Sequence, residues 1–334
     1  MPLHRISRTA VVVGAVAMSL AAGTPMSSGD TGASIAAHGP RVRAELLADV
    51  PATVLLPTGY DSSAERRYPV LYLLHPYRGT ETSWLDDAHV AELAGTEDTI
   101  VVMPRMPTSG LVVDSANGRC RDESRMIDGL VPAVDAKYRT VADRRDRAVA
   151  GVNSSGISAM YLAARHPEVL GIAGAMSAPL DLSLGLGTAG RVGATAFLAA
   201  IAGECGNPLG QGLFGAPTDE TAWARRNPAD LAAQLGDSAV YVSAGNGIPC
   251  QIGDLVAPLP VEPGEALVDV ASRIFPSEPF PAYSAQSFAQ ALNRAQVRHT
   301  ADFGGCGQHT WLDYRRQLAK FLPWMSAAFG KATS

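Results

Sequence analysis

The stretch "AVAGVNSSGISAMYLAARHP" (residues 148–167) decides how the rest of the chain is read. It opens on a small apolar run, passes through Asn-Ser-Ser-Gly, and continues with Ile157, Met160, Tyr161 and Ala164. Those spacings of three and four place one apolar face on a helix. A strand that turns this abruptly into a helix holds its central residue at positive φ. Glycine tolerates that best, with asparagine and aspartate next. Gly151, two residues before Asn153, and Ser155 and Gly156 after it are small enough to let the backbones approach. The pattern is that of a turn presenting a nucleophile. Asn153 keeps its shape and lacks its hydroxyl.

Reading outward, apolar and β-rich runs recur at "PATVLLP" (51–57), "YPVLYLLH" (68–75), "TIVVMP" (99–104), "RAVAGV" (147–152), "IAGAMSA" (172–178), "AVYVSAG" (239–245) and "VRHTADF" (297–303). Helical patterns lie between them, over about 122–138, 155–165, 283–296 and 311–327. Strands apolar throughout and alternating with helices predict an α/β fold with a mostly parallel central sheet flanked by helices. Residues 179–235 are richer in Gly, Ala and Pro, which predicts a helical, cap-like insertion above the sheet. No repeat or linker divides residues 40–330, so a single domain is expected.

The chain has 334 residues, a hydrophobic fraction of 47% and a net charge of −5, the balance of a globular chain with no electrostatic attraction for nucleic acid. His4, Arg5 and Arg8 precede the apolar run "TAVVVGAVAMSLAA" (9–22), and small residues follow. This is the layout of an export signal over residues 1–30, too short in its apolar part to be read as a transmembrane segment. Secretion or attachment to the cell envelope is therefore expected. Cys120, Cys205, Cys250 and Cys306 predict two disulfides in an exported chain. Three pairings are open on number alone, and Cys250 with Cys306 is one candidate, because they follow neighbouring strands. None of the four has a second ligand at zinc spacing. "GLGTAG" (185–190) matches a dinucleotide fingerprint only as a string, with no preceding strand or placed acid. Neither a metal nor a cofactor is expected.

"YPVLYLLHPYRG" (68–79), "VDAKYRTVADRRDRAVAG" (134–151), "ARHPEVLGIAGAMSA" (164–178), "VYVSAGNG" (240–247) and "GQHTWLDY" (307–314) together resemble the secreted esterase and mycolyltransferase branch of the α/β-hydrolases, the antigen 85 type included. The resemblance runs from about residue 42 to 327. It implies a Ser–Glu/Asp–His triad that transfers acyl groups through a covalent serine ester, with trehalose esters among the substrates. Matched residue by residue, Asn153 stands at the nucleophile and His309 at the histidine. The acid is Glu278, ten residues before Phe288, or else Asp254 after the strand 239–245. The oxyanion donors are the backbone N–H groups of Tyr77 and Ser154. Pro76 departs from the usual glycine before the first of these. Arg78, Asp114 and Trp311 match positions lining the substrate cleft.

An amide nitrogen whose lone pair is delocalised cannot do what a serine oxygen does beside a histidine. The expectation is thus an exported, mycolyltransferase-like α/β-hydrolase with its serine chemistry disabled, binding acyl esters or envelope glycolipids such as trehalose esters. The alternative is an active acyltransferase or ester hydrolase with Ser154 as nucleophile, which would put β-branched Val152 where the turn needs glycine.

Overall fold

The computed structural model describes residues 41–94, 98–107, 109–201, 205, 211–251 and 278–331. The proposed signal segment and Asp254 lie outside these residues. Among them runs an eight-stranded sheet in the order β1-β2-β4-β3-β5-β6-β7-β8. The strands are β1 Arg41–Leu47, β2 Val50–Leu56, β3 Val70–Leu74, β4 Ile100–Pro104, β5 Arg147–Val152, β6 Ile172–Met176, β7 Ala239–Gly245 and β8 His299–Gly305. β1 pairs antiparallel with β2, and β2 with β4; every pair from β4 across to β8 is parallel. The sheet is mostly parallel, as its apolar runs predict.

β1 is the strand that no continuous apolar run marks. Its sequence, RVRAELL, is charged and largely exposed, as suits an edge strand, with Leu47 buried in the core and Glu45 held by Lys137 and Tyr138. What makes it a strand is the hairpin: Ala48 and Asp49 both take positive φ, 47° and 62°. Two such central residues define the tight turn whose twist matches an antiparallel pair.

In the middle of the sheet, β3, β4, β5 and β6 are buried at every position. Alternate residues of β3 serve different cores. Val70, Tyr72 and Leu74 join the cluster containing Ile157, Met160 and Phe288, whereas Leu71 and Leu73 join the one containing Trp84, Tyr314, Leu318 and Phe321. Helices Ser154–Arg165 and Pro279–Arg294 therefore cover one face, and the C-terminal helix Trp311–Ala328 the other. The helical run expected near 122–138 is composite, made of Asp122–Ser124, a π-turn segment Arg125–Leu130, and Val131–Lys137. Between β6 and β7 the chain forms helices Gly187–Ile201, Gln211–Phe214 and Glu220–Ala224 and the 3-10 helix Pro228–Leu235.

The parallel strands bring the turns after β3, β5, β6, β7 and β8 to one edge of the sheet. The chain leaves β3 for β4 on one side and returns through β5 on the other. Ligands of open α/β sheets bind at such a reversal, and Asn153 stands there, directly after β5.

Candidate active site

The turn at residue 153 has the geometry its small neighbours imply. Asn153 takes φ 52° and ψ −129° and caps helix Ser154–Arg165. A β-carbon on Gly151 would lie 2.5 Å from Ser155 Oγ, and one on Gly156 2.4 Å from the Ala178 β-carbon. Neither position has room for a side chain. Ser155 ties the turn down: its hydroxyl accepts the Val152 N–H at 3.0 Å and reaches the carbonyls of Val152 (2.8 Å) and Leu74 (3.0 Å).

Opposite Asn153 stands His309, in the turn between β8 and the C-terminal helix and itself at φ 73°. Two backbone bonds hold this turn against the exit of β7, from Gly247 N–H to the Gly307 carbonyl (2.9 Å) and from Gly307 N–H to the Ile248 carbonyl (2.7 Å). A Cys250–Cys306 disulfide adds a covalent tie. The other disulfide joins Cys120 and Cys205. The two bridges match the even cysteine count, and Cys250–Cys306 is the pairing suggested by strand neighbours.

Glu278 is completely buried at the start of helix Pro279–Arg294. One carboxylate oxygen accepts the Gly245 N–H (2.5 Å) and the Ser177 hydroxyl (2.7 Å); the other faces His309 Nδ1 at 2.7 Å. A buried carboxylate with three donors is satisfied as an anion, and it fixes the proton of neutral His309 on Nδ1. Nε2 is then an acceptor, and the Asn153 Nδ2 lies 2.5 Å from it. The structure thus brings Asn153, His309 and Glu278 into one line, in the order amide, imidazole, carboxylate. On the other side of its amide, Asn153 Oδ1 accepts the Ser154 N–H at 2.5 Å.

Ser154 is also fully buried, and its hydroxyl points away from the histidine. Ser154 Oγ has no hydrogen-bond partner among the described residues and lies 2.4 Å from where a β-carbon on Gly110 would sit. Tyr77 N is 3.0 Å from that same point, so the Tyr77 backbone lies beside the buried Ser154 side chain, while the Ser154 N–H is held by Asn153 Oδ1. Tyr77 occupies a turn closed by the Gly79 N–H on the Pro76 carbonyl (2.9 Å), with exposed Arg78 at φ 60°. Behind the turn, His75 accepts the Met106 N–H at Nε2 (3.0 Å) and donates from Nδ1 to the Pro76 carbonyl (2.9 Å). Burial holds this imidazole below its usual pKa, in keeping with the acceptor role.

The remaining candidates fare differently. Asp114 spends both carboxylate oxygens on Ser124, one on its N–H (3.1 Å) and one on its hydroxyl (2.6 Å). Trp311 packs edge-on against Trp84, ring centres 5.4 Å apart, and against Tyr314 at 5.5 Å.

Three residues of the site escaped sequence reasoning. Ser177, at positive φ after β6, donates to Glu278 and accepts the Gln317 side-chain N–H at 2.6 Å; Gln317 in turn accepts the Ser243 hydroxyl at 2.7 Å. Tyr314 places its ring edge-on to His309, centres 5.3 Å apart. Burial and the nearby Glu278 charge drive its phenol well above the ordinary value, and hydrogen bonding from the Asn153 amide works against them. A serine at the carboxyl end of a parallel strand was the one legible hint. Gln317 and Tyr314 are recognisable only from the helix face that packs against the site.

Residues 44–325 match the Esterase family model, described as "Putative esterase". Among curated relatives, a diacylglycerol acyltransferase/mycolyltransferase Ag85B of Mycobacterium intracellulare is 29% identical over 56% of this chain and 50% of its own length. The esterase Rv1288 of Mycobacterium tuberculosis is 31% identical over 58% and 42%, and an endo-1,4-beta-xylanase/feruloyl esterase of Xylanibacter ruminicola 33% over 38% and 19%. The matches thus span half or less of these relatives' lengths. Of solved structures, MPT51 (FbpC1) of Mycobacterium tuberculosis superposes with a TM-score of 0.63 at 17% identity, covering 86% of this chain and 99% of that one. A ferulic acid esterase gives 0.60 at 20%, covering 87% and 98%. These last two speak for the fold alone, an α/β-hydrolase. Matched over most of its length, the chain belongs to the esterase family of α/β-hydrolases.

Proposed function

We propose that this protein recognises acyl esters, trehalose esters and related envelope glycolipids among them, in an esterase-family cleft that no longer forms a covalent serine ester. In this reading Asn153 holds the nucleophile position, with His309 and Glu278 as the retained base and acid. One observation carries it. The Asn153 amide lies on His309 Nε2 through its nitrogen and on the Ser154 N–H through its oxygen, both at 2.5 Å. The side chain thereby fills the place of a hydroxyl and occupies one of the two oxyanion donors. Loss of the nucleophile alone costs a serine hydrolase on the order of a millionfold in kcat.

Tyr77, Arg78 and Trp311 stand at the mouth on this reading, segment 179–235 is the cap, and residues 1–30 direct export. The activities for which the Ag85B and Rv1288 relatives are named, acyl transfer and ester cleavage, support the ligand class. The competing assignment of Ser154 as nucleophile is disfavoured by its buried hydroxyl, which points toward Gly110.

Titration calorimetry with a trehalose ester and with an unrelated sugar of similar size tests the proposal, alongside labelling with a serine-reactive fluorophosphonate. Binding of the ester alone, without consumption and without a covalent adduct, is the expected result. Equal or absent heats for both ligands, or an adduct mapped to Ser154, would overturn it.

A further inference from the structure

We propose that Asn153 is a modification site acted on by its own surroundings, its side-chain amide being hydrolysed in place to aspartate with release of ammonia. This stands on the geometry of Asn153 and is independent of whether a glycolipid binds.

The amide is arranged as an amide substrate would be. Its carbonyl oxygen rests on the Ser154 backbone N–H and its nitrogen on the imidazole of His309, each at 2.5 Å. Glu278 Oε2 stands 2.7 Å behind that imidazole, so a proton taken up at Nε2 is balanced by a buried carboxylate. The backbone contributes as well. Asn153 is held at φ 52°, a strained conformation for any residue with a β-carbon, which directs the side chain into this line and not toward solvent. Even so, Asn153 is only partly buried, which leaves water a path to Cγ.

The step balances with water as co-reactant. A water oxygen bonds to Cγ while its proton passes to His309 Nε2, whose lone pair has shifted from the Nδ2–H to the incoming water. The negative charge on Oδ1 is held by the Ser154 N–H. The Cγ–Nδ2 bond then breaks, Nδ2 takes the proton from His309 and leaves as ammonia, and the carboxylic acid loses its proton to solvent. A competing route closes a ring by attack of Ser154 N on Cγ. Here that nitrogen is fully buried at the helix start and its proton is committed to Oδ1.

The test follows the tryptic peptide Ala148–Arg165 by mass spectrometry during incubation of the folded, full-length protein at neutral pH in ¹⁸O-water. Conversion of Asn153 to aspartate carrying one ¹⁸O is expected. It should slow at least about a hundredfold in His309→Ala, the scale of general acid–base assistance, and recover when free imidazole is added to that variant. Circular dichroism confirms that His309→Ala is folded, and Glu278→Gln gives a second, independent slowing. Asn153 remaining unmodified while other asparagines deamidate would overturn the proposal. So would conversion to isoaspartate at the same rate with or without His309, because that is the signature of the ring-closing route.

Discussion

Replacing Asn153 with serine should turn the protein into a measurable esterase. Serine Oγ would fall near the position now held by Cγ of the asparagine. Nδ2 is 2.5 Å from His309 Nε2; stepping back one C–N bond of about 1.33 Å at a trigonal angle puts that position about 3.4 Å from Nε2. This is slightly longer than a working nucleophile–base hydrogen bond, and within the looseness that unliganded sites tolerate. The substitution also withdraws Oδ1 from the Ser154 N–H, freeing it to meet an oxyanion beside the Tyr77 N–H. A missing nucleophile costs up to about a millionfold, so a partial recovery of at least about a thousandfold in kcat/KM is expected, equivalent to about 4 kcal/mol of transition-state stabilisation. Folding pays part of this. Serine accepts φ 52° less readily than asparagine and loses two hydrogen bonds, a cost of about 1–3 kcal/mol and a fall of several degrees in Tm. The assay is hydrolysis of a short-chain p-nitrophenyl ester by the natural protein, by Asn153→Ser, and by Asn153→Ser combined with His309→Ala, which should lose the gain. If Asn153→Ser folds and stays no faster than the double variant, the alignment of His309 and Glu278 does not amount to a catalytic pair. If the natural protein is already active and Ser154→Ala silences it, the turn is in the wrong register.

Two further outcomes follow from local geometry. Gly156→Ala would bring a β-carbon to 2.4 Å from that of Ala178, at the packing of helix Ser154–Arg165 on β6, and should lower stability by about 1–3 kcal/mol as measured by urea unfolding; an unchanged midpoint would show that the helix can shift away. Stability should also depend on His166, whose Nε2 lies 2.8 Å from Glu123. Hydrogen bonding and charge from Glu123 raise its pKa, and on Glu123 the partners His166 and Tyr161 outweigh burial to bring the carboxyl down to about 2. Because the histidine is raised on folding, its contribution is complete below its unfolded value of about 6.5 and is lost as pH climbs through the folded one. The glutamate's contribution is present above about 4.5 and fades on acidification toward 2. Unfolding free energy should therefore decline on the alkaline side of pH 6.5, and His166→Asn should flatten that slope; an identical slope in the variant would remove the pair as its cause.

The α/β arrangement was legible in the sequence because its information is local. Continuous apolar runs mark strands covered on both faces, and β3 and β5 lie where their residues predict, buried throughout. The turn at Asn153 was legible for the same reason. Gly151, Ser155 and Gly156 restrict the backbone within a few residues of where they stand, and asparagine is a residue that endures the resulting φ. Edge strand β1 did not stand out, since it has no continuous apolar run: polar and apolar residues alternate over residues 41–46, Val42 and Leu46 are exposed, and the hairpin pairs the strand with β2. The site divides along the same line. The chain order of Asn153, Glu278 and His309 could be taken from short motifs, with Glu278 favoured as the acid and Asp254 kept as its alternative. What marks Glu278 is its depth, with three donors around its carboxylate, and depth comes from the packing of elements distant in the chain. So does the direction of a side chain. Adjacent in sequence, Asn153 and Ser154 are sent to opposite sides by the turn: the first onto His309, which lies 156 residues away, and the second into the core beneath Gly110. Ser177, Tyr314 and Gln317 belong to the site only because β6 and the C-terminal helix pack beside the turn. A sequence specifies which residues can make such a site. Which of them meet depends on how the sheet and its helices close around the end of β5.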